Sequence, residues 1–187
     1  VASVCGLPEQ DCVGPFNLGS SSTLNFDLPT DWSGEGTLTI TARTTESASG
    51  ATADATTTAA YYVQSVNDAP RIMGFPSGGF QINRGEAMSV AGIYFTDVDF
   101  DSSLGTNMSV SVVTERGTTT LASRSGGLIE YDCSSPARCS DEFDTFRYEA
   151  PSTAGSDSVT VTINDNGNFG EDGAEGIKSY TLNFIVN

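Results

Sequence analysis

Alternating apolar and polar runs occur twice along this chain, in the same order. In the first half, Leu24, Phe26 and Leu28 alternate with Asn25 and Asp27 and stop at Pro29. Leu38, Ile40 and Ala42 then alternate with Thr37, Thr39 and Thr41. In the second half, Phe146, Tyr148 and Ala150 alternate with Arg147 and Glu149 and stop at Pro151. Val159, Val161 and Ile163 follow, alternating with Ser158, Thr160 and Thr162. A period of two places every second side chain on one face of an extended segment, so each run predicts a strand with one face buried. Each half closes on a further run: Ala51 to Ala59 leading into Tyr61, Tyr62 and Val63, and Tyr180, Leu182, Phe184 and Val186.

Laid over one another, the halves set Pro29 on Pro151 and Gly34 on Gly155, with the cysteine pairs Cys5/Cys12 and Cys133/Cys139 roughly together. Asn67 and Asn187, each following a valine at the end of a strand run, stand 120 residues apart. A fixed period of this kind marks a modular chain.

Between the copies, further strands are expected at Gly79–Asn83, Met88–Phe95, Met108–Val113, Thr118–Ala122 and Gly127–Tyr131, with a bulge at Gly92. The second copy therefore reads as about seven strands with turns every ~8–12 residues, the pattern of a β-sandwich. The first copy has only its last few strands. Residues 1–68 read as the trailing half of a module whose leading half lies outside this sequence, and residues 69–187 as a complete one. No stretch longer than a turn shows helical periodicity.

Composition narrows the function. Lys and Arg total 8 against 24 Asp and Glu, a formal net charge of −16. Nucleic acid is excluded, because phosphates need basic side chains to neutralise them, and so is charge-driven docking on anionic membrane. No apolar run approaches the length of a membrane span. Val1 opens no charged-then-apolar leader, so a signal peptide is expected to have been removed or to lie outside the sequence. The chain has no histidine, which removes Ser-His-Asp and Cys-His machinery. No pair of carboxylates stands out as glycosidase-like, and the chain is not expected to be an enzyme.

The four cysteines admit three pairings, among which local closure of Cys5–Cys12 and Cys133–Cys139 is favoured. Four-cysteine zinc sites use tighter spacings. Disulfides imply an oxidising, extracytoplasmic compartment.

Four motifs together resemble cadherin-like, Ig-like repeats of large surface proteins, as in bacterial adhesins and chondroitin-sulfate-proteoglycan-type arrays. They are Val66-Asn67-Asp68-Ala69-Pro70 at the joint, Phe95-Thr96-Asp97-Val98-Asp99, Ser158 through Asn168, and Leu28-Pro29-Thr30-Asp31-Trp32-Ser33-Gly34. The resemblance covers residues 24–187, with the cysteine segments as departures. It implies an all-β, Ig-like (cadherin-like) Greek-key β-sandwich, one complete module preceded by a partial one. It also implies calcium at the joint. Asp97 and Asp99 match the family's Asp-x-Asp pair, Asn67 and Asp68 its linker, Asp165 its late-loop ligand, and Asp31 an acidic position of the preceding module. Ser65 stands where the family's linker carries an upstream acid, which removes one ligand.

In such a fold, the loop with Asp97, Asp99 and Asp101 and the loop with Asn164, Asp165, Asn166, Glu171 and Asp172 share the end where Asn67 and Asp68 enter. The turn with Asp31 and Glu35 meets that end from the preceding module. Calcium takes ~6–8 oxygen ligands from such groups. The competing reading is turn chemistry alone, since Asp, Asn and Gly cap backbone groups and accept left-handed conformations.

Among the remaining signals, Asn107-Met108-Ser109 is an acceptor triplet for N-glycosylation, and Thr56-Thr57-Thr58 reads as a solvated strand edge that could carry O-linked sugar. Trp32 is expected to plug the end of a sandwich rather than to serve as a sugar platform. The function expected is an extracellular, cell-surface structural or adhesive segment of a filament or array. Its partners would be neighbouring repeats or identical subunits. The other reading is a carbohydrate- or receptor-binding module.

Overall fold

A computed structural model describes the backbone of residues 2–7 and 10–16, and residues 27–100, 107–167 and 176–187 with their side chains. The chain divides into two compact units, Val1–Ser65 and Val66–Asn187. The joint residues Val66 to Ala69 thus belong with the second unit.

The first unit holds β1 (Ala2–Leu7), β2 (Gln10–Phe16), β3 (Gly34–Thr45) and β4 (Thr52–Val63), joined antiparallel in the order β2-β1-β3-β4. The sequence pattern did not mark β1 or β2. The expected strand around Leu24–Leu28 lies largely outside the described residues, and residues 27–29 are irregular.

The second unit begins with β5 (Arg71–Met73), β6 (Phe80–Ile82), β7 (Ala87–Ser89) and β8 (Tyr94–Thr96). It continues through β9 (Met108–Thr114), β10 (Thr118–Leu121), β11 (Arg124–Gly126) and β12 (Leu128–Cys133), then α1 (Pro136–Phe143). It ends with β13 (Arg147–Glu149), β14 (Gly155–Asn164) and β15 (Ile177–Val186). Three sheets result, β12-β9-β14-β15-β6, β11-β10-β13-β7 and the pair β5-β8. All pairings are antiparallel except β15 with β6.

The alternation read from sequence is the alternation that packs. Val110, Val112, Val159, Val161, Ile163, Leu182 and Phe184 of the five-stranded sheet are buried, and so are Leu121 and Tyr148 of the four-stranded one. The rings of Tyr148 and Phe184 stack at 3.9 Å between centroids and join the two sheets. Fully burying side chains of this size is worth about 1.5–3 kcal/mol each. The arrangement is consistent with an all-β sandwich.

Two expectations need correction. Residues 136–143 form a helix where none was expected. Ser135 caps it by accepting from Arg138 N at 3.2 Å, and Pro136 occupies its first turn, where a missing N–H costs nothing. Cys139 and Phe143, one turn apart, bury against the core, and Phe143 meets Phe95 edge-on at 5.4 Å. Eight residues were too few to show a period. Gly92 is a break rather than a bulge: at φ +84° it separates β7 from β8, which pair in different sheets. A side chain on Gly74 opposite would overlap the carbonyl of Gly92.

The two units share a register. β3 opens at Gly34 (φ +127°) opposite Val63, and β14 opens at Gly155 (φ +132°) opposite Val186. Counting equal steps from each glycine, Leu38↔Ala59 matches Val159↔Leu182, Thr39↔Thr58 matches Thr160↔Thr181, and Thr41↔Thr56 matches Thr162↔Ser179. Followed from strand to strand through these partners, Val4↔Ile40 corresponds to Val112↔Val161, and Cys5↔Cys12 to Val113↔Leu128, so the first cysteine pair does not overlie Cys133 and Cys139 as the sequence suggested. The sheet β2-β1-β3-β4 therefore repeats β12-β9-β14-β15 strand for strand.

Candidate functional site: the acidic end of the second unit

Asp165 follows the last residue of β14 and is fully buried. Its Oδ1 accepts from Gly167 N and Gly176 N, each at 2.8 Å, while its own N–H donates to Gly176 O at 3.1 Å. Asn67 Nδ2 donates to its Oδ2 at 2.8 Å. Three N–H groups thus converge on one buried carboxylate, which satisfies the desolvated charge. Gly176 has to be glycine here, because a Cβ would run into Asp165 Oδ2 and stand 2.8 Å from Ala69 Cα.

Next to it, Asp68 N donates to Asp99 Oδ2 at 2.5 Å, and Asp99 N donates to Asp97 Oδ1 at 3.0 Å in an Asx turn. The entering segment is therefore tied at consecutive residues to two loops distant in sequence. Among the described residues, Asp97 Oδ2 is buried with no hydrogen-bond partner. Burial pushes the Asp97 carboxyl up to about 6, helped by the negative charges of Asp165, Asp99 and Asp68 and opposed by the Asp99 N–H.

Five of the six residues expected at the joint, Asn67, Asp68, Asp97, Asp99 and Asp165, thus meet at one end of the second unit. Asp31 lies in the first unit, exposed at φ +61° in a turn. Asp101, Asn168, Glu171 and Asp172 fall outside the described residues. Among the described residues no group of three or more acidic, cysteine or histidine side chains is arranged to hold a metal ion. Asp165 and Asp99 accept from backbone and amide donors. The side chains gathered here offer oxygen donors, as a hard cation requires.

Cys133 and Cys139 form a disulfide with Cα atoms 5.3 Å apart, closing β12 onto α1. Cys5 and Cys12 face each other across β1 and β2 in backbone register, and their side chains lie outside the description. Asn107 is exposed. Trp32 is half-buried, its ring 5.9 Å from that of Tyr61.

Sequence reasoning missed a second buried carboxylate at the opposite end of β14. Asp157 accepts from Tyr148 Oη at 2.6 Å, Gly117 N at 2.7 Å, Arg116 N at 3.0 Å and Ser158 N at 2.8 Å. Arg116 in turn donates to Ser156 O at 2.8 Å and Thr153 O at 3.0 Å. Burial, then the bond to Asp157, pushes the Tyr148 hydroxyl upward. The signal was in the alternation, since Asp157 is in phase with Val159, Val161 and Ile163 and so points inward.

No protein-family model matches the chain, and no curated protein matches it. No helix among the described residues is long and apolar enough to cross a membrane.

Proposed function

We propose that this chain is a structural or adhesive segment of an extracellular, modular surface or filament protein, built from cadherin-like Greek-key repeats. The observation that carries the reading is the pair of bonds Asn67–Asp165 and Asp68–Asp99. They bind the entering segment to the body of the module, as a tandem array needs if successive modules are to keep a fixed angle. The shared register of the two units supports the repeat. In the second unit, the face corresponding to Leu38 and Ile40 packs on a second sheet. The described residues of the first unit form one sheet; an upstream segment of a longer chain would supply the other, or a neighbouring subunit would donate its strands.

Calcium at the acidic end belongs to this proposal. Asp97 would be its first ligand, beside Asn67, Asp68, Asp99 and Asp165, and its chemistry would be to neutralise carboxylates that otherwise repel. The role is non-catalytic, in keeping with a chain that has no histidine. Sugar binding through Trp32 has less support, since that ring is half-buried beside Tyr61. The test is thermal melting of the full chain with calcium and with chelator. Calcium should raise the melting temperature of the native sequence and leave that of Asp97→Asn unmoved. Identical curves for the native chain in both buffers would sink the calcium part, and the repeat reading would then rest on the register alone.

A further inference from the structure

The geometry points to Asn107 as the attachment site of an N-linked oligosaccharide. The inference rests on the extracellular reading above and adds a specific modification to it. Asn107-Met108-Ser109 is the sole Asn-x-Ser/Thr triplet in the 187 residues. Asn107 is exposed immediately before β9, whereas Met108 is fully buried. The segment is anchored through other atoms: Asn107 O accepts from Asn166 Nδ2 at 2.7 Å, and Ser109 Oγ donates to Asn166 Oδ1 at 3.2 Å. A sugar on Asn107 Nδ2 therefore projects into solvent without disturbing the bonds that fix the strand.

Chain order supplies the opportunity. Both neighbours of β9 in its sheet, β12 and β14, follow it in sequence. The triplet consequently leaves the ribosome before either strand that pairs with β9 is present, and stays accessible until β12 and β14 arrive. In the transfer, Asn107 Nδ2 attacks the anomeric carbon of a lipid-pyrophosphate-linked oligosaccharide. An N–C bond forms, the C–O bond to pyrophosphate breaks, the lipid pyrophosphate leaves with the electron pair, and the amide proton passes to a base.

The experiment is expression of the full chain through a eukaryotic secretory pathway, with intact mass and peptide mapping of both retained and secreted protein. The expected result is one glycan on Asn107, removed by peptide:N-glycosidase with conversion of Asn107 to Asp. The glycan should be absent from N107Q and S109A and retained in S109T. Unmodified native chain in both fractions would overturn the proposal, as would a glycan persisting in N107Q. Protein that is secreted with its disulfide formed but carries no sugar would leave the extracellular reading standing while this one failed.

Discussion

Asn67 Nδ2 donates to Asp165 Oδ2 at 2.8 Å across 98 residues of sequence, and so ties the segment entering the second unit to the end of β14. Removing the acceptor leaves three N–H donors without their carboxylate. We expect Asp165→Ala to cost about 3 kcal/mol in chemical denaturation, and Asn67→Ala about 1–2 kcal/mol, since only one bond is lost and Asp165 keeps its backbone donors. Gly176→Ala should approach the larger value, because its Cβ intrudes on both Asp165 and Ala69. Equal small losses for all three would mean the tie carries little load.

Asp97 gives a pH dependence of defined sign. Its carboxyl is raised from an ordinary 3.8 to about 6 in the folded chain. A raised acid favours the folded state when protonated, so its contribution is fully present below pH ~4 and is lost as pH rises through ~6. In chelator, the melting temperature of Asp97→Asn minus that of the native chain should therefore grow between those values and level off above. A flat difference would show that Asp97 is not held in this environment.

The buried pair at the other end of β14 separates a hydroxyl from a carboxylate. Tyr148→Phe removes one of the donors to Asp157 and should cost about 1 kcal/mol, whereas Asp157→Ala strands a tyrosine hydroxyl and three backbone N–H groups and should cost about 3 kcal/mol. In the double variant the losses should not add, because both act on one bond. Denaturant midpoints at matched slope report all three.

Cys133 and Cys139 stand six residues apart. Closing so short a loop limits the unfolded chain only modestly, so reduction or Cys139→Ser should lower stability by about 2 kcal/mol. Limited proteolysis should then open the segment around α1 first. Cleavage elsewhere at the same rate would argue that the bridge braces more than the helix.

Much of the second unit was legible in the sequence because its longest strands obey a strict alternation. Ser158 to Ile163 announced its strand character and its buried face, Met108 to Val113 its strand character, and the matching order of runs with the 120-residue spacing of Asn67 and Asn187 announced the repeat. That Asn67, Asp68, Asp97, Asp99 and Asp165 lie at one end was expected from the resemblance to a cadherin-like sandwich and not from any local pattern. What the pattern missed has local causes. α1 is too short to show a period and is fixed by its cap and by the burial of Cys139 and Phe143. β11 is three residues long and paired on one side.

The sequence by itself determined the β class and the phase of the long strands, since each follows from side-chain chemistry at fixed spacing, whereas the gathering of acidic residues at one end was expected from the resemblance to a cadherin-like sandwich. Only the tertiary structure decided how those carboxylates are used. Hydrogen-bond donors from Asn67, Asp68, Gly167 and Gly176 reach Asp165 and Asp99 through folding, and among the described residues Asp97 keeps one buried oxygen without a partner. That division depends on distances between residues up to 98 positions apart, which no local pattern encodes.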